Sequence, residues 1–389
     1  MPSLSRRVAT FTDSVIRRMT RISDAYGAIN LSQGFPDFPP PQELLQALAE
    51  IAYTGPHQYA ITFGAEDFRQ ALAQKQKAFS GLDYDPQSEI VVTCGGTEAM
   101  ICAMMTVCNP GDKVIVFSPF YENYAADAIL CGATPIYVPL VAPDFHIDKA
   151  ALEAAFNQGP KAIIICNPSN PCGKVFTREE LTYIGGLVRQ HDAFAIMDEV
   201  YEHIVYAPHI HTHMAALPGM REYTLCCSSL SKTYSITGWR LGYLLGPNEV
   251  IDGARKVHDF LTIGAAAPLQ AAALPGLHFN RDYYLGLQAL YTQKRNYFLL
   301  GLDAIGLKHN DPQGAYFVLI DVTDILAQTR FEGFDDYQLC EWMIKNLGVA
   351  AVPGSSFFRT GGDQYIRLHF AREQRTLQEA IKRLKGLHL

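Results

Sequence analysis

Apolar residues near the start of the chain recur at helical spacing. Val15, Ile16, Met19 and Ile22 share one face, Thr12 or Asp13 is a candidate cap, and Gly27 is placed to end the helix. The stretch Ile29-Asn-Leu-Ser-Gln-Gly-Phe-Pro-Asp-Phe-Pro-Pro-Pro41 has no period. Its glycine and prolines predict a fixed, extended loop, and Gly34 can bring backbone close to a ligand. Helical patterns cover residues 44–52 and 66–79, with a loop at 57–64 between them.

From residue 90 the rhythm changes. Short β-rich runs at 90–93, 113–117, 134–139, 161–166 and 194–198 alternate with helical patterns at 97–107, 121–130, 148–156 and 177–190. Such βαβ repetition predicts an α/β fold with a mainly parallel sheet and helices on both faces. Two further strands, 223–227 and 240–245, are separated by about a dozen irregular residues. That is marginal for a helical crossover, so the second strand is expected to run antiparallel at an edge or to insert out of sequence. A long helix at 281–303 leads out. Shorter elements follow: strands in 314–322, 349–352 and 365–370 and helices in 334–346 and 373–385. We expect a large domain over 45–285 and a smaller α+β domain built from 1–44 and 286–389.

Composition narrows the function classes. The 389 residues are 48% hydrophobic and 18% charged, an ordinary globular balance, and the net charge of −7 argues against nucleic-acid and anionic-membrane partners. The expected ligands are small molecules. No apolar run reaches the length of a bilayer span. Nine cysteines without a C-x-x-C pair fit reduced thiols in a cytoplasmic protein better than a disulfide framework or a zinc ribbon. Arg6, Arg7, Arg17, Arg18 and Arg21 raise the question of a transit peptide, but the helical spacing favours a structural helix.

The candidate chemistry lies just past the predicted strand ends, where open α/β sheets bind ligands. Gly95-Gly-Thr-Glu98 opens a helix with free backbone N–H groups, which suits an anion or an ordinary cap. In Asn167-Pro-Ser-Asn-Pro-Cys-Gly173, Asn170 can donate its amide to a ligand, or the segment is only a rigid turn. Asp198-Glu-Val-Tyr201 puts a carboxylate at the end of an apolar strand; it needs a cation there, or it caps a helix. Lys232 sits among hydroxyls in Ser229-Leu-Ser-Lys232 and is either a surface charge or a Schiff-base lysine. Arg240 and Arg367 are candidate anion forks or solvated charges. His209-Ile-His211-Thr-His213 has metal-like spacing but no cysteine or carboxylate beside it in the chain, so no metal is expected. Tyr121, Tyr124, Tyr283, Tyr284 and Tyr291 read as packing residues, with Tyr121 the exception.

Taken in order, these stretches resemble the class I/II aminotransferases, fold type I pyridoxal-phosphate enzymes. Ser32-Gln-Gly-Phe-Pro-Asp-Phe38, Gln58-Tyr-Ala-Ile-Thr-Phe-Gly64, Gly238-Trp-Arg240 and Arg367-Leu-His-Phe-Ala371 complete the match. The resemblance implies a seven-stranded type of sheet and pyridoxal 5'-phosphate as cofactor. Lys232 would bind it as a Schiff base and shuttle the substrate's proton. Asp198 would pair with the pyridine nitrogen, and Asn170 and Tyr201 would hold the 3'-oxygen. Gly96, Thr97, Ser229 and Arg240 would take the phosphate, and Tyr121 would stack on the ring. Arg367, Asn170 and the backbone at Gly34 would hold the substrate carboxylate. Tyr59 would reach the phosphate of a neighbouring subunit, which implies a homodimer.

The family also has cis bonds where this chain has Ser118-Pro119 and Asn170-Pro171. Cys172 departs from its usual threonine and would put an oxidisable thiol near the cofactor. The 32–38 loop and residues 256–262 look most like kynurenine, glutamine and methionine aminotransferases, and Thr97 stands where aspartate-preferring relatives tend to have lysine. Neutral, bulky donors are therefore expected. A β-lyase acting on cysteine conjugates, an aspartate-type enzyme and a non-catalytic regulator are the rival readings.

Overall fold

In the computed structural model, which describes residues 2–3, 5, 8 and 13–388, Ser14 rather than Asp13 starts the first helix. Its hydroxyl accepts the N–H of Arg17, while Asp13 pairs with Arg21; Thr12 lies outside the described residues. Helix α1 (Val15–Tyr26) ends at Gly27, whose φ of 59° is left-handed and suits a residue without a side chain. Strand β1 (Ile29–Asn30) and helices α2 (Gln42–Thr54) and α3 (Glu66–Ser80) follow.

The βαβ rhythm is realised as β2 (Ile90–Thr93), α4 (Gly96–Val107), β3 (Lys113–Ser118), α5 (Asn123–Leu130), β4 (Thr134–Val141), the short β5 (His146–Ile147), α6 (Lys149–Phe156), β6 (Ala162–Cys166), α7 (Arg178–Gln190) and β7 (Phe194–Asp198). Then come β8 (Thr224–Ser229) and β9 (Gly242–Leu245). These strands form one eight-stranded sheet in the order β2-β9-β8-β7-β6-β3-β4-β5. The run from β4 to β8 is parallel, and β9 is antiparallel to both its neighbours.

With only turns and the short 3₁₀ segment Thr237–Trp239 between β8 and β9, the chain must double back. Instead of standing at an edge, β9 slots between β8 and β2. It fits because Gly242 has no side chain: a Cβ there would lie 2.4 Å from the Gly95 carbonyl carbon and 2.6 Å from the Gly96 nitrogen. The β-rich run of the central strands reflects burial on both faces, with Ile163, Ile165 and Met197 in one core cluster and Ile164 and Ile196 in the other.

Helices α8 (Asn248–Thr262) and α9 (Ala267–Leu277) stand outside the expected elements, although α8 is amphipathic, with Ile251, Ala254 and His258 on its buried face. Alanine-rich α9 is enclosed by α2 and α3, so it has no polar stripe to set a period. Helix α10 (Arg281–Ala304) leads to β10 (Phe317–Asp321), α11 (Thr323–Leu326) and α12 (Asp336–Trp342), which continues as a π turn through Leu347. The run expected as one strand at 349–352 is split at Ala351. Its halves, β11 (Val349–Ala350) and β12 (Val352–Pro353), join different sheets, and β13 (Tyr365–His369) and α13 (Gln374–Leu384) close the chain. The second sheet is β10-β13-β12, and β1 pairs in parallel with β11. Met19 and Leu31 enter the same core as Phe317, Ile366 and Leu377. No helix among the described residues is long and apolar enough to cross a membrane.

Candidate active site

A cavity of about 460 Å³ opens past the ends of β2, β3, β6, β7 and β8 and is closed from the other side by Gly34, Phe317 and Arg367. Gly34, Gly96, Thr97, Tyr121, Asn170, Asp198, Tyr201, Ser229, Lys232, Arg240 and Arg367 all line it. Tyr59 does not; it is 83% exposed on the outer surface.

Lys232 follows β8 through a turn, and its Nζ donates to the Gly34 carbonyl at 3.2 Å. Tyr316 donates to the same oxygen at 2.9 Å. Burial brings the Lys232 ammonium down to about 8; Arg240 and Arg367 push the same way and Asp198 opposes them. Asp198 ends β7 with a buried carboxylate that accepts from Tyr124 Oη at 2.6 Å and from the Val200 N–H at 3.3 Å. Burial raises its carboxyl, against these two hydrogen bonds and the charge of Lys232. Among the described residues it makes no ion pair.

Tyr124, read from the sequence as packing, is therefore part of the polar site. It lies one turn beyond Tyr121, with their rings edge to face at 5.8 Å. Tyr121 and Tyr124 both lie just past the end of β3, so the strand-end position is the signal that could have found Tyr124. Asp127, one turn further along α5, is buried with Oδ2 unpartnered, and burial together with the charge of Asp198 raises it to about 7. Tyr201 is buried edge-on against Tyr316 and Phe317, at 5.2 and 5.7 Å.

The far wall is not the half-solvated strand that alternation in 365–370 suggests, because both faces of β13 are covered. Arg367 lies between the rings of Phe317 and Phe357, at 4.3 and 4.6 Å. It donates to Asn170 Oδ1 at 2.8 Å and to the Ser32 carbonyl, leaving Nε unpartnered. Burial lowers it to about 10, so it remains a cation at neutral pH. With Oδ1 taken, Asn170 has its amide N–H groups left to donate.

On the opposite wall, Gly95, with φ of 85°, leads into α4. A Cβ at Gly95 would lie 2.3 Å from Arg240 Nη2, so the glycine leaves the guanidinium its place. Arg240 is itself left-handed, at φ 55°, and its contacts are two backbone carbonyls, Thr237 at 2.9 Å and Cys94 at 3.4 Å. Glu98, in the first turn of α4, faces away from an anion site. Burial alone would raise it, but hydrogen bonds from His258, Thr262 and the Cys94 N–H hold it below the usual carboxylate range.

Some expectations about individual residues need revision. Cys172 does not line the cavity: it is buried in the core cluster of Phe117 and Phe176, with its thiol on Ser169. Ser118-Pro119 and Asn170-Pro171 are both cis, as the resemblance implies. Arg17 and Glu122, neither of them an expected site residue, also line the cavity, and Glu122 accepts from Ser14 Oγ and the Val15 N–H.

The cavity thus holds the buried Asp198 carboxylate and three arginines, Arg17, Arg240 and Arg367, none of them in an ion pair among the described residues, with Glu122 at its rim accepting from Ser14 and Val15. Between them is a lysine that loses its proton near neutral pH. This donor set fits a ligand with a strongly anionic group at one end, a basic ring nitrogen at the other and a carbonyl that an amine can attack.

Comparisons with known proteins agree. The family model described as aminotransferase class I and II matches residues 26–384. A methionine aminotransferase of Escherichia coli strain K12 is 35% identical over 375 residues, covering 96% of each chain. Kynurenine–oxoglutarate transaminase 1 of Homo sapiens is 33% identical, covering 94% of this chain and 93% of its own. The structure of N-succinyldiaminopimelate aminotransferase from Mycobacterium tuberculosis superposes with a TM-score of 0.94 at 33% identity, over 99% of this chain and 100% of that one.

The Asp127 carboxyl generates a stability prediction. The folded protein holds its proton up to about 7, whereas an unfolded chain releases it near ~3.9. Stability therefore falls as pH rises through that window, and the loss is complete above it. Asp127→Asn is expected to stabilise the apoprotein by on the order of a few kcal/mol at pH 8 and by little at pH 4. Urea unfolding at the two pH values measures this, and an equal effect at both would contradict the assignment.

Proposed function

Since the chain belongs to the class I and II aminotransferases and is a pyridoxal-phosphate-dependent transaminase, we propose which residues serve the cofactor and which substrates they admit. The observation that carries the reading is the single lysine of the cavity, Lys232, lowered to about 8 between Asp198 and two arginines. Bound pyridoxal phosphate supplies the carbonyl that exchanges for an amino group and a protonated ring that takes up the electron pair released at the substrate's α-carbon.

The chain's residues do the rest. Lys232 anchors the cofactor and, once free, its neutral Nζ takes the proton from the substrate's α-carbon. Asp198 accepts the ring N–H, and the hydrogen bond from Tyr124 fixes the carboxylate in place. Asn170 and Tyr201 donate to the ring oxygen, and Tyr121 covers the ring face. Gly96, Thr97, Ser229 and Arg240 hold the phosphate at the N-terminus of α4. Arg367, whose orientation is fixed by Asn170 and the two phenyl rings, holds the substrate carboxylate with the backbone at Gly34. We read residues 45–285 as the cofactor-binding domain and 1–44 with 286–389 as the smaller one, a division supported by the pairing of β1 with β11.

For the donor we infer neutral, bulky L-amino acids, supported by apolar lining from Ile16, Phe35, Tyr121 and Phe317. A second reading concerns the acceptor. Arg17 lines the cavity and makes no ion pair among the described residues, so a 2-oxo acid with a distal carboxylate has a cation to meet. A homodimer is supported by an exposed apolar patch. Tyr53, Tyr59, Ile61, Phe260 and Ile263 are all more than half exposed, and the loop that carries Tyr59 and Ile61 is tied to the end of α8, which carries Phe260 and Ile263, by the His258 hydrogen bond to the Thr62 carbonyl. Unbridged, buried thiols such as Cys166, Cys226 and Cys340 fit the cytoplasm.

Three outcomes are expected. Lys232→Ala should lose the half-reaction by at least about a thousandfold across a panel of amino acids, while in the wild-type apoenzyme labelling of Lys232 by an amine-directed reagent should rise through pH about 8. Full half-reaction activity in the variant would overturn the assignment. Arg17→Gln should raise KM for 2-oxoglutarate about tenfold and leave the methionine half-reaction unchanged; equal effects on both would reject the second reading. Light scattering of the holoenzyme should give twice the chain mass, and a monomer would reject the dimer.

A further inference from the structure

The residue after Asp198 points to a second site. Glu199 and Glu202 are buried, at 2% and 6% exposure, in the turn that follows β7. The loop that carries His211 and His213 folds back onto them. The sequence gives these histidines no carboxylate nearby in the chain, but the fold supplies two. One ligand atom from each of the four residues lies within 4.8 Å of all the others.

The polar atoms of this cluster are unevenly satisfied. Glu202 Oε1 receives Lys75 Nζ at 3.0 Å and Tyr243 Oη at 2.9 Å. Glu199 Oε2 faces His213 Nδ1 at 3.2 Å. The remaining oxygens, Glu199 Oε1 and Glu202 Oε2, are buried without a hydrogen-bond partner among the described residues, as are both ring nitrogens of His211. Yet His211 Nε2 is 3.3 Å from Glu199 Oε1 and His213 Nε2 is 3.9 Å from Glu202 Oε2, without hydrogen-bonding geometry.

Ligands held about 2.0–2.2 Å from a tetrahedral zinc ion stand about 3.3–3.6 Å apart; the His211–Glu199 pair is at 3.3 Å, the His213–Glu202 pair at 3.9 Å, and all four atoms lie within 4.8 Å of one another, so small side-chain shifts would close the set on an ion. Hydrogen bonds on the outer oxygen of a carboxylate and on the second nitrogen of an imidazole are what orient a metal's ligands. Lys75 and Tyr243 do this for Glu202, and the contact between His213 Nδ1 and Glu199 Oε2 does it for His213. Charge points the same way. Around the two carboxylates stand one lysine and three histidines, His203 Nε2 lying 3.3 Å from Glu202 Oε1 on the outer side, while the inner oxygens, Glu199 Oε1 and Glu202 Oε2, face only His211 and His213; a divalent cation satisfies these two oxygens and the two imidazoles at once. Two imidazoles with two carboxylates, buried and leaving no open position, suit a structural ion of the zinc class.

We propose that Glu199, Glu202, His211 and His213 form a closed site for a divalent transition-metal ion of the zinc class, which ties the histidine loop to the end of β7 beside Asp198. The test uses the full-length, cofactor-loaded enzyme, stripped of metal by a chelator and titrated with zinc chloride in a calorimeter. About one equivalent per chain should bind and raise Tm, and His211→Gln with His213→Gln should weaken that binding at least about tenfold. Cobalt in place of zinc in the wild-type chain should give the intense visible bands of a tetrahedral site, a readout that needs no variant to fold. No binding, binding unchanged in the double variant, or cobalt bands of octahedral intensity would each overturn the proposal and leave a cluster closed by protons and water.

Discussion

The Asp198 carboxyl stands where water has been removed, and much of the site's behaviour follows from that. A buried carboxylate without a cation is costly. Here the cost is met by the phenol of Tyr124, by the backbone at Val200 and by the distant charge of Lys232. Next to burial, its carboxylate adds to the raising of Asp127 and of Tyr121, which stands at about 12. Lys232 feels it in the opposite sense: without Asp198 its ammonium would sit lower still, because burial and two arginines all favour the neutral amine. Desolvation comes first among the causes for Asp198, Lys232 and Arg367 alike, so the walls that exclude water set the chemistry as much as the charged groups do.

Strand-end chemistry was the most legible part of the chain. Gly96, Asn170, Asp198, Ser229 and Lys232 stand out because each unusual polar cluster interrupts an apolar run at the same point of the βαβ rhythm. What escaped did so for identifiable physical reasons. Tyr124 is one turn into a helix, and aromatic residues at helical spacing are usually core. Arg17 comes from a helix far away in sequence. Helix α9 is nearly all apolar, so no polar stripe marks a face and it shows no period. Cys172 stands in a conspicuous motif, but a motif does not say which way a side chain points. The histidine run looked isolated because its carboxylates lie in the preceding turn, and only the folding back of the loop brings them together.

The substrate lies beyond that kind of reading. Relatives of about equal similarity are named for methionine, kynurenine and succinyldiaminopimelate, although the fold is nearly the same throughout. The residues that would separate such substrates, among them Ile16, Arg17, Gln33 and Glu122, sit on α1, the 32–38 loop and the start of α5. They are held by local contacts such as Glu122 to the start of α1. Specificity can therefore change without disturbing the strand ends.

The pairing of β1 with β11 has a consequence for synthesis. Ile29 hydrogen-bonds beside Val349, so the first strand made waits for one of the last. On the ribosome the eight-stranded sheet has all its strands once residue 245 has emerged, while the N-terminal segment, Gly34 included, still lacks its partners. The Gly34 carbonyl that receives Lys232 and Tyr316 comes into position only when the chain is nearly complete. A nascent chain thus carries the anion cradle and the lysine long before it has a closed pocket, and the burial that lowers the Lys232 ammonium is complete only at the end of translation.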